Sequence, residues 1–410
     1  MLTTDRLPAA GRVDTTDRVG PLHGVRVFDL TTIVMGPSAT QILGDLGADV
    51  IKVEAPEGDA LRRIGPQRHE AMGPLYLQAN RNKRSVCLDL KTAEGRDAAL
   101  LLAADCDVFV SNIRPNAVQR LGLHDEALRG VNPALIHVCA VGYGEGGPGS
   151  GLPVYDDLMQ AASGIAGLFQ ALDGAPRYVP ANICDRIVGL YLALSIIAAL
   201  HHRQRTGEGQ SIEVPMFETM VQFVMGDHSG GEAFVPALGP AGYARLMSRH
   251  RGPYRTSDGW LAVVIYTDAH WRAFSALVGM PALLDTDPRF ATLQARTVNA
   301  EACGQLLASF FGTRSTEDWI IVLREVDLPC GKVNTLDSLP EDPHVRAVAL
   351  FSPLQHPSEG TLRQSRFPVR FSGSPASVRR HAPRLGEHTE EVLAEARSRS
   401  LAKPATGDGP

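Results

Sequence analysis

Apolar and polar positions repeat with two different periods along this chain, and the change from one to the other lays out its elements. Val25-Arg-Val-Phe-Asp-Leu30 alternates and starts β-branched, and Asp49-Val-Ile-Lys-Val-Glu54 follows the same pattern, so both are expected strands. Between them Gly36-Pro37 opens a helical stretch that closes near Gly47, which makes a βαβ unit. A second unit runs from Ser85-Val-Cys-Leu-Asp89 through a helix from about Thr92 to Ala104, with Glu94 in its first turn, to Val108-Phe-Val110. Ala134-Leu-Ile-His-Val-Cys-Ala-Val141 adds a further strand. Strands alternating with helices of this length predict an α/β fold whose large domain is a Rossmann-like, mainly parallel sheet covered on both faces.

The pattern continues with a helix from Tyr155 to Gly167 that is small-residue-rich on one side, and with the apolar run Ile187 to Leu200. That run is expected to be a buried core helix stopping at the polar stretch His201 to Gly209, since its fourteen residues are too few to cross a bilayer. Ser211-Ile-Glu-Val214 then forms a strand, and a helix begins near Met216. Gly226 to Gly242, rich in Gly, Pro and Ala, is expected to link this domain to a smaller α+β one. There Tyr254 to Gly259 carries a turn signal before the strand Trp260-Leu-Ala-Val-Val-Ile265, with a further strand at Gly331 to Asn334. Helices are expected around His270 to Leu277, Ala300 to Phe311 and Thr316 to Val326, and a last one behind Thr389. The expected bounds are 21–225 for the large domain, completed by 365–398, with 226–248 as linker. The small domain takes 249–345, with 346–364 as a return linker and 1–20 and 399–410 as mobile tails.

Composition adds limits. A chain of 410 residues is longer than one core usually supports, which favours two domains. Its 44% apolar and 21% charged residues, with a net charge of -5, are ordinary for a soluble protein and give no reason to invoke nucleic acid or membrane. The six cysteines are scattered, without a C-x-x-C pair or a His cluster at metal spacing, so they are expected to be reduced core residues of a cytoplasmic protein with no metal site. The first twenty residues contain no apolar run and resemble neither a signal peptide nor an anchor.

Several chemistries lack their residues. The loop Gly142-Tyr-Gly144-Glu-Gly146-Gly147-Pro148-Gly149-Ser-Gly151 is a poor dinucleotide fingerprint, because Pro148 stands where the helix should begin and no acidic residue closes a following strand. It is better read as a backbone-rich loop at the carboxyl end of a strand. No G-x-S-x-G elbow and no Walker loop is present. Carboxylates remain: Asp156, Asp157 and Asp185. Asp185, at the head of the apolar helix, is either an N-cap or a nucleophile held ionised by the helix N-terminus.

Four stretches together resemble the class III CoA-transferases, the family of formyl-CoA transferase and carnitine CoA-transferase. They are Leu22 to Leu30 with Gly36-Pro37, Asn80-Arg-Asn-Lys-Arg84-Ser with Leu88 to Lys91, Gly142 to Asp156, and Arg205-Thr-Gly207-Glu-Gly209-Gln. Asp342-Pro343-His344-Val345 and Leu385-Gly386-Glu387-His388-Thr389 are similar as well, so the likeness spans roughly Leu22 to Leu393. The resemblance implies that Asp185 is the nucleophile, that Tyr155 stands at the site entrance, and that Lys91, Asn112 and Arg120 line the groove for CoA together with Val34, Gly142 and Gly144. Val34, Ala55 and Pro153 replace a glutamine, an arginine and a lysine of the formyl-CoA enzymes. The glycine run that covers their site has no counterpart between Gly226 and Gly259, which argues against formyl and oxalate as substrates.

The resemblance further implies an interlocked homodimer, acyl-CoA and free carboxylic acid as partners, and no bound cofactor. A carboxylate, with a reference pKa of ~3.9, needs only aim and exclusion of water to attack a thioester. Arg249 and Arg251, in the basic cluster that starts at Arg245, are candidates for holding an acid tail. The same fold resembles the α-methylacyl-CoA racemases, but these carry a His-Asp pair where this chain has Tyr155-Asp156, and a tyrosine of pKa ~10 is a poor base near neutral pH. A non-catalytic CoA-binding protein is the third alternative.

Overall fold

The computed structural model describes residues 20–402, so the expected tails at 1–19 and 403–410 lie outside the described residues. The chain forms two compact units. Among the described residues, the first holds 20–155, Asn182–Thr219 and 349–402, whereas the second holds Asp156–Ala181 and Met220–Val348. The Gly/Pro-rich stretch expected as a linker therefore falls within the second unit, as does the segment 156–181 that the sequence pattern assigns to the first.

The first unit is built on a six-stranded sheet: β1 Arg26–Leu30, β2 Asp49–Glu54, β3 Lys83–Cys87, β4 Val108–Ser111, β5 Ile136–Val141 and β6 Ser211–Pro215, in the order β3-β2-β1-β4-β5-β6. Every pairing is parallel, as in Val27↔Val50 and Val27↔Val108. The strand order reverses between β1 and β4. In open α/β sheets the loops leaving two such strands diverge, and the crevice outside their carboxyl ends takes the ligand. Phe28, Ile51, Val86, Phe109 and Leu102 pack one core with Val392, Leu393 and Ala396 of the final helix, Thr389–Ala402. Residues 399–402, expected as tail, are the end of that helix.

β3 starts two residues before the apolar pattern does, because its first side chains are charges with buried partners. Lys83 Nζ donates to Asp29 Oδ2 at 3.0 Å, Thr40 Oγ1 at 2.7 Å and Asn80 Oδ1 at 2.9 Å. Arg84 reaches Asp49 at 2.6 Å and Glu395 at 2.8 Å. Charges tolerate an interior only when paired in this way. Burial still pushes the Lys83 ammonium down to about 8 against the pull of Asp29.

The apolar run Ile187 to Leu200 lies inside a helix of 24 residues, Ile183–Thr206, which continues through the polar stretch expected to stop it and ends at Gly207, in the left-handed region at φ 79°. Its length and mean hydropathy of 1.9 would suffice to cross a membrane, contrary to the expectation from the run alone. However, Val188, Leu192, Ile196 and Ala199 are buried along one stripe, as in a core helix. The stretch 346–364 was expected to be a bare return linker. It contains an antiparallel hairpin, β10 Phe351–His356 and β11 Gly360–Ser365, whose polar residues and Pro353 hide the alternation.

The second unit has a three-stranded antiparallel sheet, β7 Tyr254–Arg255, β8 Trp260–Val263 and β9 Cys330–Lys332, in the order β7-β8-β9. The helices Asp268–Leu277, Ala300–Phe311 and Thr316–Glu325 cover it around a core of Trp271, Phe274, Phe311 and Trp319. Thr267 and Ser315 cap the first and last of these through their side-chain oxygens. The single helix expected from Tyr155 to Gly167 is broken at Gly164, φ 96°, into Asp156–Ala162 and Ile165–Asp173.

Candidate active site

A cavity of about 680 Å³ opens in the first unit at the carboxyl ends of β1, β4 and β5. That is the crevice predicted by the strand order, and its size lies within the range of small-molecule sites. Its floor is the loop joining β1 to the helix Met35–Asp45, whose backbone groups are held by side chains from other elements. Asp29 Oδ1 accepts from the Thr31 amide at 3.0 Å, and Lys52 Nζ donates to Thr31 O at 2.8 Å. Asn112, just past β4, brackets Thr32 by accepting from its amide at 2.9 Å and donating to its carbonyl at 2.8 Å. Asp59 Oδ1 accepts from the Ile33 amide at 3.1 Å while its other oxygen meets Lys52 Nζ at 3.0 Å, both side chains being buried. Ile33 is at φ 66°, an unusual place for a β-branched residue, and these bonds over-determine it.

Asp185 also lines this cavity. It lies in the first turn of the helix Ile183–Thr206, behind Asn182 at the N-cap, so it is not itself the N-cap residue. The positive end of the helix dipole acts there on a half-buried carboxylate. Two contacts fix this helix end against the helix Met35–Asp45. Arg186 donates to Ser38 Oγ at 2.8 Å, and Gly189 lets the backbones close up, since a Cβ there would stand 2.9 Å from Met35 O. Ile33 and Met35 line the same cavity as Asp185.

The glycine loop after β5 forms another wall. Gly142 has no room for a side chain, because a Cβ would stand 2.5 Å from Val154. Gly144 is buried and does not line the cavity; its amide donates to Glu218 Oε1 at 2.9 Å, and that of Glu145 to Glu213 Oε1 at 3.0 Å. These two amides are thus committed to carboxylates rather than to a phosphate.

Of the residues singled out from sequence, Asn112, Gly142, Pro153, Tyr155 and Asp185 line the cavity. Tyr155 is 68% exposed. Lys91 lies exposed in the turn after β3, Arg120 ends the short helix Pro115–Arg120 pointing to solvent while its neighbour Gln119 lines the cavity, and Ala55 is exposed outside it. Val34 turns into a small core with Leu61, Met72 and Tyr76, so the apolar residues presented to the cavity at this point are Ile33 and Met35. The left-handed Ile33 sets that direction, and no sequence signal announces it. Asp156 and Asp157 begin a helix of the second unit, where buried Asp156 accepts from Gln160 Nε2 at 2.7 Å. Arg251 borders a separate cavity within the second unit and Arg249 lies exposed outside it. Among the described residues no His, Cys, Asp and Glu group could hold a metal ion.

Known proteins place this arrangement. The chain is 33% identical over 394 residues to the succinate–glutarate CoA-transferase of Agrobacterium fabrum, covering 93% of this chain and 97% of that one. It is 31% identical over 396 residues to the formyl-CoA:oxalate CoA-transferase of Afipia carboxidovorans, covering 91% and 92%. The crystal structure of a CaiB/BaiF family protein from Brucella suis superposes with a TM-score of 0.78 at 32% identity, over 92% of this chain and all of that one. Residues 22–389 match the description CoA-transferase family III, and the chain belongs to that family.

Proposed function

We propose that this protein moves CoA from an acyl-CoA thioester to a free carboxylic acid, with Asp185 as the covalent nucleophile. The observation that carries this reading is the placement of Asp185 in a helix first turn on the wall of the cavity at the sheet's switch point. An Asp185 oxygen attacks the thioester carbonyl, the C–S bond breaks, and CoA thiolate leaves behind a mixed anhydride. The thiolate then attacks the aspartyl carbonyl, which releases the donor acid and leaves Asp185 as a CoA thioester. The incoming carboxylate displaces CoA to form a second anhydride, and the thiolate attacks its acyl carbonyl to regenerate Asp185. Each step exchanges one activated acyl bond for another, so the route requires no nucleotide and no bound cofactor but must exclude water. Asn112, Gly142 and Tyr155 border the space for the thioester.

The donor is a succinyl-type thioester, larger than formyl. The name of the Agrobacterium relative supports the succinyl type, and the apolar Ile33 and Met35 on the cavity wall support an acyl group larger than formyl. The working form is a homodimer, supported by an outward stripe on the helix Ile183–Thr206 where Leu190 and Leu194 are 59% and 64% exposed. The six cysteines, none of them in a disulfide, suit a reducing cytoplasm.

Wild-type protein mixed with succinyl-CoA, digested and read by mass spectrometry, should gain the mass of CoA on the peptide carrying Asp185. An adduct on Asp156 or Asp157 would sink the assignment. Transfer from formyl-CoA faster than from succinyl-CoA would sink the choice of donor.

A further inference from the structure

The second unit contains a cavity of its own, about 370 Å³, that the transfer chemistry does not use. It lies between the end of β8 and the helix Ala300–Phe311. Ile265, Trp271, Cys303 and Leu307 form a buried apolar floor. Burial pushes the Cys303 thiol up to about 11 and the Tyr254 phenol up to about 12, so near neutral pH both stay protonated and neither is a nucleophile. This is a binding surface.

Its charges are unequal in their commitments. Arg296 on the wall is neutralised by Asp268 and donates to Phe290 O at 2.7 Å. Glu301 is occupied on both oxygens, by His250 at 3.1 Å and by Ser248 Oγ at 3.1 Å. Arg245 and Arg251 also line the cavity, and no ion pair among the described residues involves either of them. Arg245 stacks over the Tyr266 ring at 5.0 Å, which orients its guanidinium without neutralising it. The rim thus presents two uncompensated guanidiniums above an apolar floor.

We propose that this cavity is a second ligand site, which takes a small monocarboxylate with an apolar body, a single ring or a short alkyl chain. Guanidinium matches carboxylate in a planar, two-bond fashion, and the floor offers nothing to a second charge. The volume lies at the small end of ligand sites, which sets the upper size of the body. The site goes beyond the transfer reaction, since it requires neither Asp185 nor a thioester.

Isothermal titration of the full-length wild-type protein, with no CoA thioester present, tests this with phenylacetate, hexanoate, succinate and the uncharged phenylacetamide. Phenylacetate or hexanoate should bind saturably, more tightly than succinate, and phenylacetamide should give no binding. Arg251→Gln and Arg245→Gln should each weaken binding about tenfold. Ala300→Phe, which places a ring in the cavity, should abolish binding while the thermal midpoint is retained. Prior saturation with free CoA should leave the titration unchanged. The proposal is overturned if no monocarboxylate binds, if the amide binds equally well, if both arginine variants titrate like wild type, or if CoA displaces the acid and so assigns it to the cavity at Asp185.

Discussion

Asp185 has two roles open to it, and a single substitution separates them. Asn at the same place keeps the size but lacks the charge, and the helix-dipole interaction it gives up is worth about 0.5 kcal/mol. As a nucleophile its loss is of another order: the amide forms no anhydride, and turnover should fall at least about a thousandfold. Transfer activity in Asp185→Asn within tenfold of wild type, measured beside a urea unfolding curve, would leave the residue as a structural one. A second residue-scale prediction concerns Glu54. Burial pulls its carboxyl up, but the Arg62 guanidinium, 2.8 Å and 2.7 Å away, and the Lys52 ammonium outweigh that and hold it at about 2. An acid lowered by folding stabilises above its unfolded pKa, near ~4.3, and loses that contribution as the pH falls toward 2. Unfolding free energy should therefore drop between pH 5 and pH 3, and drop less steeply in Glu54→Gln; parallel slopes would exclude Glu54 as the cause. The sequence alone exposed Asp185, since a carboxylate heading an apolar run is visible there. It did not expose the hold of Asp29, Lys52 and Asp59 on Thr31 and Ile33, because those partners come from separate elements and a left-handed isoleucine has no local signature.

Between elements, the contact that aims the nucleophile is the crossing of the helices Met35–Asp45 and Ile183–Thr206 at Gly189. A valine there would drive its side chain into Met35 O, which a Cβ already meets at 2.9 Å, and should cost about 2 kcal/mol by urea unfolding. It should also slow formation of the Asp185 adduct by moving the helix end away. If Gly189→Val unfolds at the same urea concentration as wild type, the helices are not in close contact. The parallel core strands β1, β2 and β4 were legible because each carries adjacent β-branched or aromatic residues, Val27-Phe28, Val50-Ile51 and Val108-Phe-Val110, that are buried together. The edges were less so. β3 opens with Lys83 and Arg84, whose buried acceptors lie far away in sequence, and β10 carries Pro353 amid polar residues, so neither displays the period that identifies a strand. The helix Ile183–Thr206 was read short for a related reason: its last turn is polar, and only Gly207 marks where it stops.

For the whole molecule, the exposed stripe of Leu190 and Leu194 predicts association. Leu194→Glu should shift the sedimentation of the protein at micromolar concentration from dimer toward monomer, and wild type sedimenting as a monomer would dismiss the idea. Strand order was beyond reach of the pattern, because alternation of strands and helices fixes a parallel sheet but not which strands are neighbours. The first unit has one more property, which concerns how the chain is made. Its sheet is complete by Pro215, yet the helix that covers β3 is Thr389–Ala402, with Glu391 and Glu395 pairing Arg84 and Val392 and Leu393 sealing the core. About 300 residues separate β3 from that helix, on the order of 15–60 s of translation at ~5–20 residues per second. For that interval a growing chain on the ribosome shows an apolar sheet face and an arginine whose only acidic partner so far is Asp49, so the first unit completes only once that helix has emerged. A stop codon before Thr389 should therefore yield a chaperone client and not a smaller enzyme.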